Sequence, residues 1–492
     1  MTTRPGRITE QRLQTLERIK ASGIDPYPPR YHCTHTTAQA TALLKEQETT
    51  AGAEIAVVSV AGRLVASRGM GKSTFSDIRD GSGKIQLLLR SDVLGEAAYK
   101  FVKELDLGDI IGATGKLLRT KTGEPTVQVQ SFTLLAKSLQ PLPEKWHGLV
   151  DIETRYRQRY LDLISNEEAR QTFRTRSAII SVLRRFMDGR GFMEVETPVF
   201  QPEAGGAPAR PFITHHNELD RDLVLRISLE LYLKRLVVGG FDKVYEIGRI
   251  FRNEGLSFKH NPEFTMMESY QAYADYNSVM QMVEEMVSSI AQEVLGTTTI
   301  EFDGNKIELK PPWKRIALRD AIAEFSGIDF VQYPEADLLR AKMKEKGMEV
   351  DPLKNWAHLV DDLLSTYVER KLMQPTFLLD YPVSLSPLAK RKPGQERVVE
   401  RFEAFAGGME IANAFSELND PLEQRERFVE QAREHRQHDD EERVDEDFLL
   451  AMEYGMPPTG GLGVGIDRLV MLLTNNQSIR DVILFPMLKE KG

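Results

Sequence analysis

Cysteine is nearly absent: Cys33 is the only one in 492 residues, which excludes an internal disulfide framework and points to a reducing compartment. No apolar run reaches the length that spans a bilayer, and the N-terminus MTTRPGRITEQRLQ lacks the hydrophobic core of a secretion signal. A cytoplasmic protein with no membrane partner is expected. An excess of basic residues is missing as well. The net charge of −9 argues against sequence-blind adhesion to nucleic acid over the whole surface, while leaving room for a specific nucleic-acid site. The acidic run Asp439 to Asp447 reads as a solvated loop or helix face, not as a metal site. His32, Cys33 and His35 lack the second ligand cluster that a structural metal asks for. What is present, 41% hydrophobic and 28% charged residues, is the composition of a globular protein, and the length implies two or three domains.

Residues 1–54 read as a helical extension: Leu13, Leu16 and Ile19 repeat at helical spacing, Gly23 stops the helix, and Pro26, Pro28 and Pro29 continue as an extended link. From Ile55 to Leu142 the pattern changes to five short alternating runs divided by Gly and Asp turns, which suits a small Greek-key barrel of the OB type. Such a barrel presents an open sheet face to single-stranded nucleic acid, and Arg68, Phe75, Gln86 and Glu124 are the residue types that face needs. Ordinary core packing of Phe75 fits the spacing equally well. Residues 143–170 read as a linker whose basic, aromatic stretch RYRQRYLDLISN packs between domains or touches a polynucleotide, packing being favoured. A helix from Glu167 to Arg190, with Phe173, Ile180, Leu183 and Met187 on one stripe, opens a large domain over residues 171–492.

Within that domain, a strand from Leu223 to Ile227 leads into a helix with Ser228 as N-cap and Glu230 in its first turn, where a carboxylate complements the helix dipole or projects into a pocket. His215 and His216, being adjacent, are read as loop polar residues. Two alternating segments between Lys243 and Ala272 flank a polar loop, a long-looped hairpin that groups Phe264, Met266, Glu268 and Tyr270 on one face, with Arg252, Lys259 and His260 close by. A forked cation and an aromatic plate suit an anionic, base-bearing ligand. A solvated hairpin with surface charges is the alternative. Residues from about 274 to 376 show no catalytic signature and read as an insertion or lid.

Farther on, RFEAFAGGMEIANAFSELND places Gly407 and Gly408 as a two-residue hairpin turn, so that Phe405 faces Glu410 and Glu403 faces Ala412. Glu403 and Glu410 then share a face and suit a hard cation such as Mg²⁺. The same alternation puts Asn413 and Glu417 on the opposite face unless a bulge intervenes. Finally, GGLGVGIDR feeds glycine-rich backbone into a helix beginning near Asp467, with Arg468 in its first turn, a phosphate-binding arrangement.

GFMEVETP (Gly191 to Pro198), FRNEG (Phe251 to Gly255) and GLGVGIDR (Gly461 to Arg468) resemble motifs one, two and three of the class II aminoacyl-tRNA synthetases. RPFITHHNELD, ELYLKRLVVGG, NPEFTMME and EIANAFSELNDP are similar to the lysyl branch of that family, bacterial type, and the likeness runs from about Ile55 to the C-terminus. The resemblance implies an α+β protein: an N-terminal OB-fold barrel that reads the anticodon, and a class II catalytic domain with an antiparallel sheet flanked by helices, homodimerised through motif one. The implied reaction joins ATP and L-lysine into lysyl-adenylate, with Mg²⁺ as cofactor, and passes lysine to tRNA(Lys).

By the same resemblance, Arg252 and Arg468 are catalytic, and Arg252, Glu254, His260, Asn261, Phe264, Glu403 and Arg468 bind ATP. Gly206, Glu230, Arg252, Glu268, Tyr270, Asn413 and Glu417 bind lysine, Glu403 and Glu410 hold the metal, and Arg68, Phe75, Gln86 and Glu124 contact the anticodon. Three buried carboxylates ask for the two ammonium groups of lysine, and the pocket strands offer no cation of their own. Two other functions fit parts of the pattern. An amino-acid ligase acting on a protein side chain has no use for the barrel, and a nucleic-acid-binding regulator has no use for Arg252, Glu403, Glu410 and Arg468.

Overall fold

A computed structural model describes residues 6–50, 54–143, 149–207, 209–436 and 444–490. The chain divides into two compact units, residues 1–148 and 149–492.

In the first unit the five expected runs form the strands Val57–Met70, Ser73–Arg79, Lys84–Arg90, Ile110–Arg119 and Pro125–Ala136, closed into a barrel. Every second residue points inward, so Val58, Val60, Ile78, Ile85, Leu87, Leu89, Val127 and Val129 are buried. Closure leaves no open edge among these strands. The extension is part of this unit. Its helix Arg7–Ala21 and a second helix, Thr37–Thr49, set Ile19, Ala40 and Leu44 into the barrel's apolar cluster. The second helix was not expected, because it buries only Thr37, Ala40 and Leu44. Its local signal is the capping box formed by Thr36 and Gln39.

The second unit is built on a nine-stranded sheet. Its main path runs Lys314–Ala317, Thr376–Pro382, Gln395–Ala406, Met409–Ser416, Thr459–Gly465, Glu263–Ala272, Lys243–Phe251 and Met193–Glu194. The pairs are antiparallel except at the two ends of the path. One face of the sheet is apolar: Phe402, Ala404, Ala412, Ala414, Leu462 and Val464 pack with the helices Glu167–Asp188, Tyr276–Leu295 and Ile466–Leu473. The other face carries the charged residues discussed below.

Three expectations change here. The region 274–376 is not peripheral throughout: Tyr276–Leu295 places Val283, Met286 and Ile290 in the main core, and Lys314–Ala317 is a strand of the sheet. Only the stretch from Leu318 to Leu372 gathers a separate apolar cluster, around Ile322, Leu339 and Leu363, against Leu378 and Phe405. Second, the expected linker forms the helices Ile152–Arg157 and Arg159–Ser165, and Arg159, 1% exposed, donates to the Leu484 carbonyl at 3.0 Å. The basic stretch therefore packs within the second unit. Third, His215 and His216 lie on an exposed strand, Ile213–His216, and His215 Nδ1 sits 2.8 Å from Asp222 Oδ1.

Part of the acidic run, residues 439–443, falls outside the described residues. Asp445 caps the helix Glu446–Glu453 by accepting the Phe448 N–H at 2.9 Å. It also accepts from Arg235 at 2.9 Å, beside a cleft of about 290 Å³ lined by Glu203, Gly205 and Ser228.

Candidate active site

The polar face of the sheet is assembled by register. One cross-strand row runs Glu246, Glu268, Gly463, Asn413 and Glu403, and a neighbouring row runs Val244, Tyr270, Gly461, Phe415 and Arg401. The hairpin strands Lys243–Phe251 and Glu263–Ala272 thus bring Glu268 and Tyr270 against the glycine-rich strand, as the alternation predicted. The turn at Gly407 and Gly408 has φ of +61° and +70°, and Phe405 faces Glu410. Glu403 faces Asn413, not Ala412, because the register shifts between Ala404 and Phe405 and makes Ile411 an extra residue. That bulge brings Asn413 onto the face that Glu403 and Glu410 share, which simple alternation forbade.

At one end lies a buried acidic pocket. Glu230, Glu268 and Glu417 are 6%, 4% and 1% exposed. Ser228 does not cap the helix Glu230–Val238; its hydroxyl donates to the Gly205 carbonyl, and Glu268 Oε1 instead accepts the Leu229 N–H at 3.0 Å. The helix end thereby receives its anion from a neighbouring strand. Glu268 Oε2 accepts the Tyr270 hydroxyl at 3.1 Å. Burial and the nearby Glu230 push the Glu268 carboxyl up to about 7. Burial likewise raises Glu230 and, more strongly, Glu417.

The pocket contains a cation that sequence reasoning missed. Lys234, fully buried, reaches Glu230 Oε1 at 2.5 Å and also pairs with Glu417. The helix, not the strands, supplies it. A Glu and a Lys four residues apart among Leu231, Leu233 and Val237 was the signal available. Gly206 has φ +86°, and a Cβ there would lie 2.0 Å from Ser228 Oγ and 3.2 Å from Glu230 Cβ. Backbone without a side chain is required at that wall.

At the other end the guanidinium of Arg252 lies 5.2 Å from the centre of the Phe264 ring, and its Nε donates to the Ile227 carbonyl at 3.2 Å. Burial lowers its pKa, opposed by Glu254, Glu268 and Glu410. Arg468, in the first turn of Ile466–Leu473, donates to Glu410 Oε2 at 2.9 Å and lies 3.5 Å from His260 Nε2. Burial, and then Arg468, lower the His260 pKa and favour the neutral imidazole. Glu254 is exposed, while Asn261 is buried and bonded to backbone at Glu263 and Met487.

Glu403 accepts from Arg401 at 2.6 Å and from the Tyr381 hydroxyl at 2.8 Å. Burial, and then Glu410, push it up to about 7 against the pull of Arg401. Arg401 also donates to Asn413 Oδ1 at 3.0 Å, a second cation of the site that the sequence reading passed over. Its signal was the two-residue spacing from Glu403, which places both on one face.

In the barrel, Arg68 stands opposite Phe75, and Gln86 opposite Asp77, on the outer face. Arg68 is exposed and Phe75 half-buried; Gln86 is buried and accepts the Thr126 hydroxyl at 3.1 Å. Glu124 is exposed in the loop before Pro125–Ala136.

Comparison with known proteins agrees with both units. Residues 151–489 match the family described as tRNA synthetases class II (D, K and N), and residues 58–135 match the OB-fold nucleic acid binding domain. A lysine–tRNA ligase of Dehalococcoides mccartyi is 60% identical over 486 residues, covering 98% of each chain. One of Moorella thermoacetica is 54% identical, covering 98% of this chain and 97% of its own. One of Enterococcus faecalis is 53% identical, covering 97% and 96%. Spanning most of the chain and joined to an OB-fold domain, this match places the chain in the class II tRNA synthetases of the D, K and N group.

Proposed function

We infer that this chain is a lysine–tRNA ligase, which joins L-lysine to ATP as lysyl-adenylate with release of pyrophosphate and then transfers lysine to the 3′ end of tRNA(Lys). The observation that carries the site assignment is the single strand Glu263–Ala272, which holds Phe264 beside Arg252 at one end and Glu268 and Tyr270 in the acidic pocket at the other. Adenine stacks on Phe264, and Glu254, His260, Asn261 and Arg468 hold the rest of ATP. Glu230 and Gly206 take the substrate's α-ammonium. Glu268, Tyr270 and Glu417 surround the ε-ammonium, and Asn413 helps fix the chain.

Arg252 pairs with the lysine carboxylate and the α-phosphate together. The carboxylate is already ionised, so no general base is needed. Its oxygen attacks the α-phosphorus, the bond to the β-phosphate oxygen breaks, and pyrophosphate leaves. Rate enhancement comes from alignment and from the guanidinium charge at the reacting phosphate. Glu403 and Glu410 are the residues that would hold Mg²⁺. They fit it, because two carboxylates on one face, one of them half-buried and held up near 7 partly by the other, gain from a divalent cation. When bound, the ion neutralises phosphate charge.

Residues 55–142 serve as the anticodon-binding domain, with Arg68, Phe75, Gln86 and Glu124 as its contacts. The chain works as a homodimer through the motif-one helix and strand, in the cytoplasm. Among the described residues no helix is long and apolar enough to cross a membrane. Arg252→Ala tests the assignment: lysine-dependent ATP/pyrophosphate exchange should fall by about 10²–10³-fold or more, with the dimer intact. Near-normal exchange would sink it.

A further inference from the structure

We propose that Lys234 determines amino-acid specificity, as a resident ammonium that fixes the separation of Glu230 from Glu417 and sets the charge of the pocket to suit a diamine. The inference rests on the lysine pocket assigned above.

Lys234 Nζ stands between the two carboxylates, 2.5 Å from Glu230 Oε1 and paired with Glu417 Oε2. These two carboxylates belong to different elements. Glu230 opens the helix Glu230–Val238, whereas Glu417 follows the strand Met409–Ser416. No backbone hydrogen-bond ladder joins them directly: the helix is held to the sheet by Leu229, Leu233 and Val237 packing with Val244 and Tyr270, and the ammonium is the side-chain link between the two carboxylates. The aromatic rings of Phe415 and Tyr270, with centres 5.5 and 6.0 Å from Nζ, flank the same cation. It is thus confined on several sides.

The second oxygen, Glu417 Oε1, is buried and has no hydrogen-bond partner among the described residues. It lies beside Gly461, where a Cβ would come within 1.8 Å of it. An oxygen in that position asks for a donor, and the incoming ammonium supplies one. Lys234 therefore occupies one side of the Glu417 carboxylate and leaves Oε1 for substrate.

Charge points the same way. Glu230, Glu268 and Glu417 carry three negative charges when ionised and Lys234 one positive charge, which leaves two. Lysine brings two ammonium groups, and its carboxylate goes to Arg252. Without Lys234 the pocket would hold an unmatched buried charge, and the two carboxylates would lose the ammonium that holds them together. Holding Glu417 in place also selects chain length: with the substrate carboxylate at Arg252, the terminal ammonium of ornithine, one methylene shorter than lysine, stops short of Glu417.

The test is steady-state ATP/pyrophosphate exchange by the full-length protein with lysine and with ornithine, comparing Lys234→Met, Lys234→Arg, Glu230→Gln and Glu417→Gln. For Lys234→Met, the KM for lysine should rise by about 30-fold or more while the KM for ATP stays within about threefold. The preference for lysine over ornithine in kcat/KM should fall by about tenfold or more. Lys234→Arg keeps the charge in a longer fork; it should retain lysine binding but lower the same preference, and it serves if the methionine variant does not fold. An unchanged preference and lysine KM in the folded Lys234 variants would overturn the proposal. If Glu230→Gln and Glu417→Gln raise the lysine KM and the Lys234 variants do not, only the role of Lys234 falls. If none of the four moves it, the pocket assignment itself falls.

Discussion

Glu268 and Leu229, 39 residues apart, are joined by a 3.0 Å hydrogen bond from the Leu229 backbone N–H to the buried carboxylate. One side chain thereby caps a helix and faces the site, and the two roles are in tension. Capping and the Tyr270 hydroxyl favour the ionised carboxylate, whereas burial and Glu230 hold it up to about 7.

That tension gives lysine binding a pH dependence. An ammonium entering the pocket favours the carboxylate, so binding near neutral pH should release protons, seen in calorimetry as heats that depend on the buffer's ionisation enthalpy. The lysine KM should fall as pH rises from about 6 to 8. Glu268→Gln should flatten that slope and raise the lysine KM at the upper end by about 10–100-fold. The effect on stability runs the other way. Between about 4.5 and 7 the folded protein holds this proton more tightly than the unfolded chain, so the contribution of Glu268 to stability falls as pH rises through that window.

Gly461 lies where strand and pocket meet. A Cβ there would stand 1.8 Å from Glu417 Oε1 and 2.7 Å from the Tyr270 ring. Gly461→Ala should raise the lysine KM at least about tenfold and cost about 1–3 kcal/mol of stability by overpacking. Exchange kinetics and urea denaturation check the two effects, and the ATP KM should remain near normal.

Phe75 is half-buried on the outer face of the barrel, opposite Arg68. If it stacks a base, Phe75→Ala loses about 1–3 kcal/mol of tRNA binding. Aminoacylation should then show a raised KM for tRNA with unaltered ATP/pyrophosphate exchange.

Asp467 joins the Arg468 helix to the hairpin: Oδ1 pairs with Arg176 at 2.6 Å, and Oδ2 accepts the Thr265 N–H at 2.7 Å. Asp467→Ala leaves the largely buried Arg176 without this partner and should cost about 3–5 kcal/mol. Denaturant titration measures it, and the ATP KM should rise as Arg468 loses its anchor.

Much of this was legible in local pattern. The barrel strands follow from alternation with Gly and Asp turns. The hairpin face bearing Phe264, Glu268 and Tyr270 follows from a period of two, and the Gly407–Gly408 turn from the need for positive φ at both positions. These features depend on neighbours in sequence, so sequence alone determined them. The tertiary structure decided the rest. It placed Tyr276–Leu295 in the core, made Ile411 the bulge that puts Asn413 on the face of Glu403 and Glu410, gave the cap of Glu230–Val238 to Glu268, and set Lys234 between Glu230 and Glu417. Each outcome depends on which distant surface an element meets, and the cost of burying an unpaired charge becomes defined only when the packed chain has brought the partners together.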